Sequence, residues 1–267
     1  MSKKDFRVPQ HHSKPKQQVV SGDIVYGKNP VFEVLRIGRR SVFEILTSAG
    51  PKPFEETELF ALAKKKSVSI RYESAQFLDK LSHDGVHQGV LARVAPYPEL
   101  SLSEVIQALS EKAIVLVLDC IQDPQNFGTL CRSALAFGVT TVIVPKDRAA
   151  AITPIVFKAS AGAIEQLNVV VVTNLVRALE ELKKHSFWLY GATLAPDSIA
   201  LPKIEPAPRS ALVLGSEGKG LRHLVSETCD FKVKIPMAVN FDSLNVAQAG
   251  TIFLYYFSNK IGVVDRK

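Results

Sequence analysis

The sequence of 267 residues is long enough for two domains, and its 46% hydrophobic and 22% charged residues are typical of a folded globular protein. The formal net charge of +7 favours a polyanionic partner, although charge alone does not identify one. No apolar run reaches the roughly 18 residues that a membrane helix needs, so we expect no membrane association.

The first twenty residues form a basic tail that we expect to be disordered. They contain five basic residues and one acidic residue, Asp5, and so contribute +4 of the net charge. Gln, His and Pro are frequent in this stretch, which is typical of chains that do not fold alone. The residues leave two alternatives open: a tail that contacts RNA, or a solvated tail without a ligand.

The number and spacing of the cysteines indicate whether the protein works in a reducing or an oxidising compartment. Cys120, Cys131 and Cys229 are odd in number and far apart, so they match neither a disulfide framework nor a zinc motif. The start of the chain does not have the pattern of a secretory signal. We therefore expect reduced thiols and a cytoplasmic location.

Residues 21–94 predict a small α/β domain, because short apolar runs alternate with helical stretches. The expected helices and strands cover, in chain order, residues 30–38, 43–46, 55–66, 68–72 and 90–94. Pro96 and Pro98 then interrupt regular structure. We interpret residues 95–112 as a linker that includes a short helix over residues 103–110.

Residues 113–267 predict a second domain built on a mostly parallel sheet. Apolar runs typical of strands buried on both faces lie at residues 114–118, 141–144, 169–172, 187–190 and 211–214. Helical segments separate these runs, which predicts helices on both sides of the sheet. Ligands of such sheets bind beyond the carboxyl ends of the strands, where polar and glycine-rich segments follow in this sequence.

The first of these polar segments, residues 119–132, leads from a strand into a helix. Asn126 and Arg132 are six residues apart and cannot share a helix face, so we expect Asn126 at the loop edge and Arg132 further along the helix. A guanidinium cannot readily act as a base at neutral pH, but it can hold a phosphate at two points. Taken alone, the segment fits a capping Asn and a surface Arg equally well.

The second polar segment, residues 214–221, places Gly215, Gly218 and Gly220 around Glu217. Glycines permit a close backbone approach or a positive φ. The segment lacks the Gly-Lys-Ser/Thr ending of a phosphate loop and the spacing of the dinucleotide fingerprint, and its glutamate would repel phosphate. The pattern favours a backbone cradle for a neutral or cationic ligand, with a simple turn as the alternative.

The third polar segment, residues 235–247, places Ser243 and Asn245 just before an apolar helix predicted over residues 246–257. A serine at a helix start is often only a cap. Four residues of that helix indicate a core or a dimer surface rather than a cofactor site: Ile252, Phe253, Tyr255 and Tyr256.

The order and spacing of the three segments resemble the SpoU/TrmH family of RNA 2'-O-ribose methyltransferases in the SPOUT superfamily. The motifs of that family read approximately Asn-x-Gly…Arg, Gly-x-Glu-x-x-Gly and Ile-Pro-Met…Ser-Leu-Asn. This likeness spans roughly residues 113–259. Residues 25–35 and 87–90 also look like the L30e-like RNA-binding domain of the subgroup that methylates a guanosine of 23S rRNA.

The resemblance implies an L30e-like α/β domain at residues 21–94 and a trefoil-knotted SPOUT domain at residues 113–267 that pairs into a homodimer. It implies S-adenosyl-L-methionine as methyl donor and no requirement for a metal. The residues implied to hold the donor are Gly215, Ile235 and Leu244, and those matching catalytic and substrate positions are Asn126, Arg132, Glu217, Ser243 and Asn245. The sequence departs from the usual pattern at Val239, where glycine is common, and at Ala247, where serine is common.

The implied function is 2'-O-methylation of a ribose in RNA. A guanosine of large-subunit ribosomal RNA is the first candidate substrate, and transfer RNA is the second. Arg132 would bind the phosphate beside the target hydroxyl and help to remove its proton, while positioning would supply much of the rate. The basic residues Lys28, Arg36, Arg39 and Arg40 are our candidate phosphate contacts in the N-terminal region.

Two other classes of function are weighed against this one. A non-catalytic RNA-binding or ribosome-assembly protein could keep the same fold, but Asn126, Arg132 and Ser243 are all present. A Rossmann-type oxidoreductase would carry Gly-x-Gly-x-x-Gly after the first strand of the second domain, and that pattern is absent there.

Overall fold

The computed structural model describes residues 22–238 and 243–263, which form two β-sheets with their helices. The predicted basic tail of residues 1–20 and the departure at Val239 lie outside the described residues. The first sheet has four strands and the second has seven. The trefoil knot stays a prediction.

The first sheet is mixed and lies within residues 23–94. Its strands are β1 (Asp23–Tyr26), β2 (Val42–Thr47), β3 (Ser69–Tyr72) and β4 (Val90–Val94), in the order β1-β4-β2-β3. β4 pairs antiparallel with β1 and β2, and β3 pairs parallel with β2. The accompanying helices are α1 (Lys28–Ile37), α2 (Pro51–Glu55), α3 (Glu58–Lys65) and α4 (Ala75–Ser82). α1 buries Val31, Val34 and Leu35, which share one helix face, and ends at Gly38 in the left-handed conformation.

The helix predicted over residues 55–66 is confirmed as α3 (Glu58–Lys65), but its predicted start is three residues early, because a separate helix, α2, ends at Glu55. α2 begins with Pro51 in its first turn and ends at Glu55. The Thr57 side chain then accepts a hydrogen bond from the Phe60 backbone N–H at 3.2 Å and so begins α3 as its N-cap. A threonine at this position stabilises a new helix start more than continuation of the previous helix.

The second sheet is fully parallel and confirms the predicted mostly parallel sheet. A short helix, α5 (Leu102–Gln107), precedes it. Its strands are β5 (Ala113–Asp119), β6 (Thr141–Pro145), β7 (Asn168–Val172), β8 (Trp188–Ala192), β9 (Ile199–Ala200), β10 (Arg209–Gly215) and β11 (Phe231–Lys234). The spatial order is β7-β6-β5-β10-β8-β11-β9, and each neighbouring pair is parallel. β5 and β10 therefore lie side by side near the middle.

Helices cover both faces of this sheet. They are α6 (Pro124–Ala136), α7 (Pro154–Ala159), α8 (Leu175–Lys184), α9 (His223–Thr228) and α10 (Val246–Ile261). α6, α7 and α10 pack in one apolar cluster, and α8 and α9 pack in another. Two glycines allow close packing around α6: a Cβ on Gly128 would lie 2.5 Å from Ala159 Cβ, and one on Gly250 would lie 2.3 Å from Leu130 Cδ2. These contacts fix α6 between its two neighbours.

A buried ion pair joins the two sheet units. Arg40, just after α1, donates to both carboxylate oxygens of Glu165, and the two side chains are 1% and 0% exposed. Arg40 also bonds Asp23 Oδ2 at 3.1 Å and the Ala95 carbonyl at 3.0 Å. Desolvation raises the pKa of Glu165 above its ordinary value, and the bonds to Arg40 oppose that rise.

Two further side chains reinforce this junction. Arg39 donates to the Leu167 carbonyl and to Asn168 Oδ1. The Tyr97 hydroxyl lies 2.6 Å from the same carbonyl oxygen, and burial raises its pKa to about 12, so it stays a neutral donor. The interpretation of Arg39 and Arg40 as phosphate contacts is therefore wrong: their guanidinium groups are directed into the protein, where carboxylate and carbonyl oxygens bind them.

Candidate active site

The first two polar segments meet because the strands before them are neighbours. Gly215 at the end of β10 lies opposite Asp119 at the end of β5 in the parallel register. The carboxyl ends of parallel strands point to one edge of the sheet, so the segments that follow emerge together. The third segment follows β11, which lies two strands away beyond β8.

Three predicted site residues, Asn126, Glu217 and Asn245, form what we call the polar cluster. Glu217 Oε1 accepts hydrogen bonds from Asn126 Nδ2 at 3.1 Å and from Asn245 Nδ2 at 2.5 Å. It also accepts from the backbone N–H of Val246 at 3.3 Å. Asn245 Nδ2 donates to Asn126 Oδ1 at 3.0 Å, so each of the three side chains contacts the other two. One residue from each polar segment is present.

The orientation of Asn245 is fixed by its place at the start of α10. Its Oδ1 accepts from the backbone N–H groups of Ala247 at 2.9 Å and Gln248 at 3.3 Å, as an N-cap does. Because Oδ1 is used by the helix, Nδ2 is the group left to donate toward Glu217. The N-cap that the sequence suggested at Ser243 is therefore Asn245, and this residue also orders the polar cluster.

Asn126 lies inside α6 rather than at the loop edge where the sequence analysis placed it. Asp123 is the N-cap, and its carboxylate accepts from the backbone N–H groups of Gln125 and Asn126. The Asn126 side chain is therefore free of capping and donates across to Glu217. The first turn of a rigid helix thus carries it.

Beside the polar cluster lies the main cavity, with a volume of about 370 Å³. Four further predicted residues line it: Gly215, Ile235, Ser243 and Leu244. The sequence analysis missed residues 193–195, which follow β8 and close one side, although the position after a parallel strand was a usable signal. The volume is within the range of small-molecule sites, roughly 300–1,000 Å³.

The glycine segment forms one wall of the main cavity as a tight backbone turn. Ser216 and Gly220 pair across it in an antiparallel bridge. A Cβ on Gly215 would lie 2.2 Å from the Gly220 carbonyl carbon, so no side chain fits there. Gly218 and Gly220 both have positive φ. The backbone N–H and carbonyl groups of Ser216 and Gly220 bond each other, so this wall is a closed turn that places backbone against the cavity.

A buried carboxylate that the sequence analysis missed holds the far end of this turn. Asp119 is fully buried and accepts hydrogen bonds from the Arg222 backbone N–H at 2.8 Å and from Arg222 Nε at 2.7 Å. The two residues are 103 positions apart, so spacing gave no indication of the pair. An aspartate directly after a buried strand was the available signal.

Arg132 does not join the polar cluster. It is exposed, it is outside the lining of the main cavity, and no hydrogen bond or ion pair to it is found among the described residues. Six residues after Asn126, it lies about 9 Å further along α6 and about 240° around the axis. It lines a different space, the junction cleft, together with Asn29 and Glu33 from α1. The structure thus brings together seven of the eight predicted site residues and leaves Arg132 apart.

The cysteines do not take part in this chemistry. All three are free. Burial raises the pKa of Cys131, and it raises that of Cys229 to about 12. These two thiols are protonated near neutral pH, so they are poor nucleophiles.

Two searches of the described residues complete the site description. None of the helices in residues 22–238 and 243–263 is both long and apolar enough to span a bilayer. Within the same ranges, no three His, Cys, Asp or Glu side chains gather as a metal site would require.

The chain combines a parallel sheet that has a cavity at its carboxyl edge with a smaller α/β unit, and the comparisons with known families fit this arrangement. Residues 113–255 match the SpoU rRNA Methylase family, and residues 24–100 match the family described as RNA 2'-O ribose methyltransferase substrate binding. The chain belongs to the SpoU rRNA methylase family. The resemblance drawn from the three polar segments is confirmed.

Three relatives show how far the likeness extends. The chain is 41% identical over 235 residues to the 23S rRNA (guanosine-2'-O-)-methyltransferase RlmB of Xanthomonas campestris pv. campestris, covering 86% of this chain and 94% of that protein. Its fold matches the SpoU methyltransferase AviRb of Streptomyces viridochromogenes, solved with AdoMet, at a TM-score of 0.74 and 22% identity over 89% of each chain. The TrmH/SpoU tRNA modifying enzyme of A. aeolicus matches at a TM-score of 0.51 and 25% identity, covering 60% of this chain and 84% of that one.

Proposed function

We propose that this protein transfers the methyl group of S-adenosylmethionine to the 2'-hydroxyl of a guanosine in large-subunit ribosomal RNA, in the cytoplasm. The observation that carries the proposal is the polar cluster of Asn126, Glu217 and Asn245 beside the main cavity, in a chain similar to RlmB over 94% of that protein. Ribosomal RNA is favoured over transfer RNA because the chain is 41% identical to RlmB over 86% of its length, whereas it is 25% identical to the tRNA modifying enzyme, whose structure matches 60% of it.

The proposal assigns a role to each part of the chain. Residues 21–94 bind the RNA substrate, residues 95–112 link the two units, and residues 113–267 carry the reaction. The match of residues 24–100 to a substrate-binding family supports the first assignment. The junction contacts of Arg40 support a fixed placement of that unit against the other.

The main cavity fits S-adenosylmethionine. The donor carries an aromatic adenine ring, and the apolar side chains of Ile235 and Leu244 that line the cavity can pack against it. Gly215 leaves room for backbone contact, and Glu217 supplies negative charge at the rim for a cationic ligand. When bound, the sulfonium supplies a methyl group that is already activated for transfer.

The chain's own residues then have to hold and activate the ribose hydroxyl. We assign to Arg132 a two-point grip on the phosphate beside the target nucleotide. Its positive charge favours the alkoxide form of the nearby 2'-hydroxyl and so helps the proton to pass to solvent water, because the guanidinium itself is not a base. The ribose is oriented for attack in line with the methyl group by Asn126, Ser243 and Asn245. Holding the two reacting groups in this geometry raises the rate of methyl transfer.

A homodimer accounts for the separation of Arg132 from the main cavity. α6 exposes Thr129, Arg132 and Ala136 along one face, and α10 exposes Ile252 and Tyr255 beside it. Large apolar side chains are depleted from solvated helix faces, and these two are 41% and 58% exposed. We propose that two copies pair through this face, so that Arg132 of one protomer completes the main cavity of its partner.

The test is methylation of protein-free 23S rRNA by the purified protein, with labelled methyl donor and mapping of 2'-O-methyl positions. We expect incorporation at one guanosine ribose and a dimer by light scattering at micromolar concentration. Incorporation into bulk transfer RNA alone would reassign the substrate. Binding of RNA without any incorporation, with intact donor binding by calorimetry, would favour a non-catalytic assembly protein.

A further inference from the structure

A lysine of the parallel-sheet unit reaches across to the N-terminal unit without meeting a carboxylate. Lys158 of α7 donates from Nζ to Gln88 Oε1 at 2.7 Å. The same oxygen accepts from the backbone N–H of Lys28, the first residue of α1, at 3.2 Å. An amide oxygen thus positions the ammonium group but leaves its charge uncompensated.

The backbone beside this lysine is shaped to admit it. Gly27 precedes α1 with φ of +96°. A Cβ there would lie 2.8 Å from Lys158 Nζ and 3.2 Å from Lys158 Cδ. Any side chain at this position would therefore push the ammonium group away from Gln88, in addition to the backbone strain that a positive φ imposes. The seat of Lys158 is built by both units.

The basic residues of the junction differ in whether a carboxylate neutralises their charge. Arg36 pairs with Glu33, and Arg40 pairs with Asp23 and Glu165. Among residues 22–238 and 243–263, no ion pair involves Lys28, Lys158 or Arg132. Partial burial lowers the pKa of Lys158, with no neighbouring carboxylate to raise it again. A cation placed in this way is suited to an anion from outside.

Arg132 lines the junction cleft, and Lys28 and Lys158 are each within two positions in the sequence of a residue that lines it. Asn29, next to Lys28, lines the junction cleft together with Arg132. Glu33 also lines the cleft, but its carboxylate accepts hydrogen bonds from Arg36 at 2.6 Å and from Gln166 Nε2 at 3.3 Å. The cleft between the two units therefore has in its lining one acid, Glu33, that is already paired and an arginine that has no ion pair among the described residues.

We propose that Lys158, seated on Gln88 and Gly27, binds a backbone phosphate of the substrate RNA where the strand passes from the N-terminal unit to the parallel-sheet unit. RNA as the polyanion rests on the proposed function; the phosphate chemistry rests on the unpaired ammonium group. Lys158 is a substrate-binding residue in this proposal, and it takes no part in the polar cluster.

The experiment compares three variants of the full-length protein with the wild type. Lys158→Gln removes the charge. Gln88→Leu removes the acceptor and keeps the charge. Lys184→Gln is the matched control, because Lys184 is an exposed lysine on α8 at the opposite face of the sheet. The probe is protein-free 23S rRNA transcript, with affinity measured over a range of KCl concentrations and S-adenosylhomocysteine affinity measured in parallel.

We expect Lys158→Gln to weaken transcript binding about three- to tenfold and to reduce the slope of log Kd against log salt by about 0.7–0.9, the loss of one phosphate contact. Gln88→Leu should keep the wild-type slope, and all variants should bind S-adenosylhomocysteine equally well. A Lys158→Gln slope equal to that of Lys184→Gln would overturn the proposal. So would equal weakening by Lys158→Gln and Gln88→Leu with unchanged slopes, since the lysine would then only tie the units together.

The binding and methylation readouts separate this inference from the proposed function. If the wild type binds transcript with a Lys158-dependent slope but transfers no methyl group, the proposed reaction fails and the phosphate site stands. If methyl transfer proceeds but the slope of log Kd against log salt is the same with and without Lys158, the proposed reaction stands and the phosphate site fails.

Discussion

The two ends of helix α6 differ in how much of their polar chemistry is satisfied within one chain. Near its start, Asn126 both donates to and accepts from the polar cluster. Near its end, Arg132 projects into solvent at the junction cleft and binds none of the described residues. The same helix therefore carries one residue that is fixed before any ligand arrives and one that is not.

This difference separates binding of the donor from handling of the RNA. A cavity whose walls are held by hydrogen bonds, such as Asp119 to Arg222, keeps its shape without a substrate. An exposed arginine loses side-chain entropy only when a phosphate fixes it. We expect the chain to bind its donor well alone and to assemble the rest of the site with RNA and a second copy.

Replacing Arg132 has the largest expected effect. Arg132→Ala should cut the rate of methyl transfer by about 10²–10⁴-fold, because a group that assists proton transfer is lost. S-adenosylhomocysteine affinity should stay near wild type, since the residues that line the main cavity within each chain are unchanged and the role assigned to Arg132 is to bind the RNA phosphate. Single-turnover methylation and calorimetry on the same preparations measure the two quantities.

A conservative variant sharpens that result. Arg132→Lys keeps the charge but loses the planar two-point grip, so we expect little rescue. The competing view is a surface arginine on an amphipathic helix, for which the change should cost less than about 0.5 kcal/mol of stability and no rate. A near-wild-type rate for Arg132→Ala would contradict the role assigned to Arg132, although the description of the fold would still hold.

Arg40 contrasts with Arg132, because carboxylates of the protein itself neutralise the charge of Arg40. Arg40→Met should lower the free energy of unfolding by about 3–5 kcal/mol, because it leaves the Glu165 carboxylate buried and unpaired. Arg36→Met is the control: its pair with Glu33 is 47% exposed on the arginine side and should matter by at most about 1 kcal/mol. Urea unfolding of both variants measures the difference, and Arg40→Met with Glu165→Met together should recover part of the loss.

The loss in Arg40→Met should also depend on pH. Burial already raises the pKa of Glu165 in the folded protein, and removing Arg40 removes the groups that oppose the rise. A carboxyl whose pKa is higher folded than unfolded binds its proton more tightly when folded, so stability falls as pH rises above the ordinary value of 4.5. The deficit should therefore be smallest below that pH and grow toward neutrality. A deficit that is constant from acid to neutral pH would show that ionisation of Glu165 is not its cause.

How much the sequence could reveal depends on whether a contact is local. β5 was predicted because its first six residues are continuously apolar, as expected of a strand buried on both faces. β11 was missed because lysines alternate along its four residues at the sheet's outer region. Arg40 was assigned to RNA because nothing near it in sequence indicated Glu165, 125 positions away. The members of the polar cluster were found from family motifs, whereas their mutual hydrogen bonds needed the strand order that places β5 beside β10.

The smallest expected effect concerns the charge of the polar cluster. Glu217→Gln can keep an oxygen that accepts from Asn245 and Asn126 but loses the negative charge. Glu217 is exposed, so solvent screens it, and we expect a stability loss of only about 1 kcal/mol.

The charge should matter more for cationic S-adenosylmethionine than for S-adenosylhomocysteine, which lacks the sulfonium, because the two ligands differ by one positive charge near the rim. We therefore expect Glu217→Gln to weaken S-adenosylmethionine a few-fold more than S-adenosylhomocysteine in paired calorimetric titrations. Asn126→Ala, which removes a neutral partner of the same carboxylate, should weaken both ligands alike, and the same result for Glu217→Gln would mean that the carboxylate only orders the asparagines.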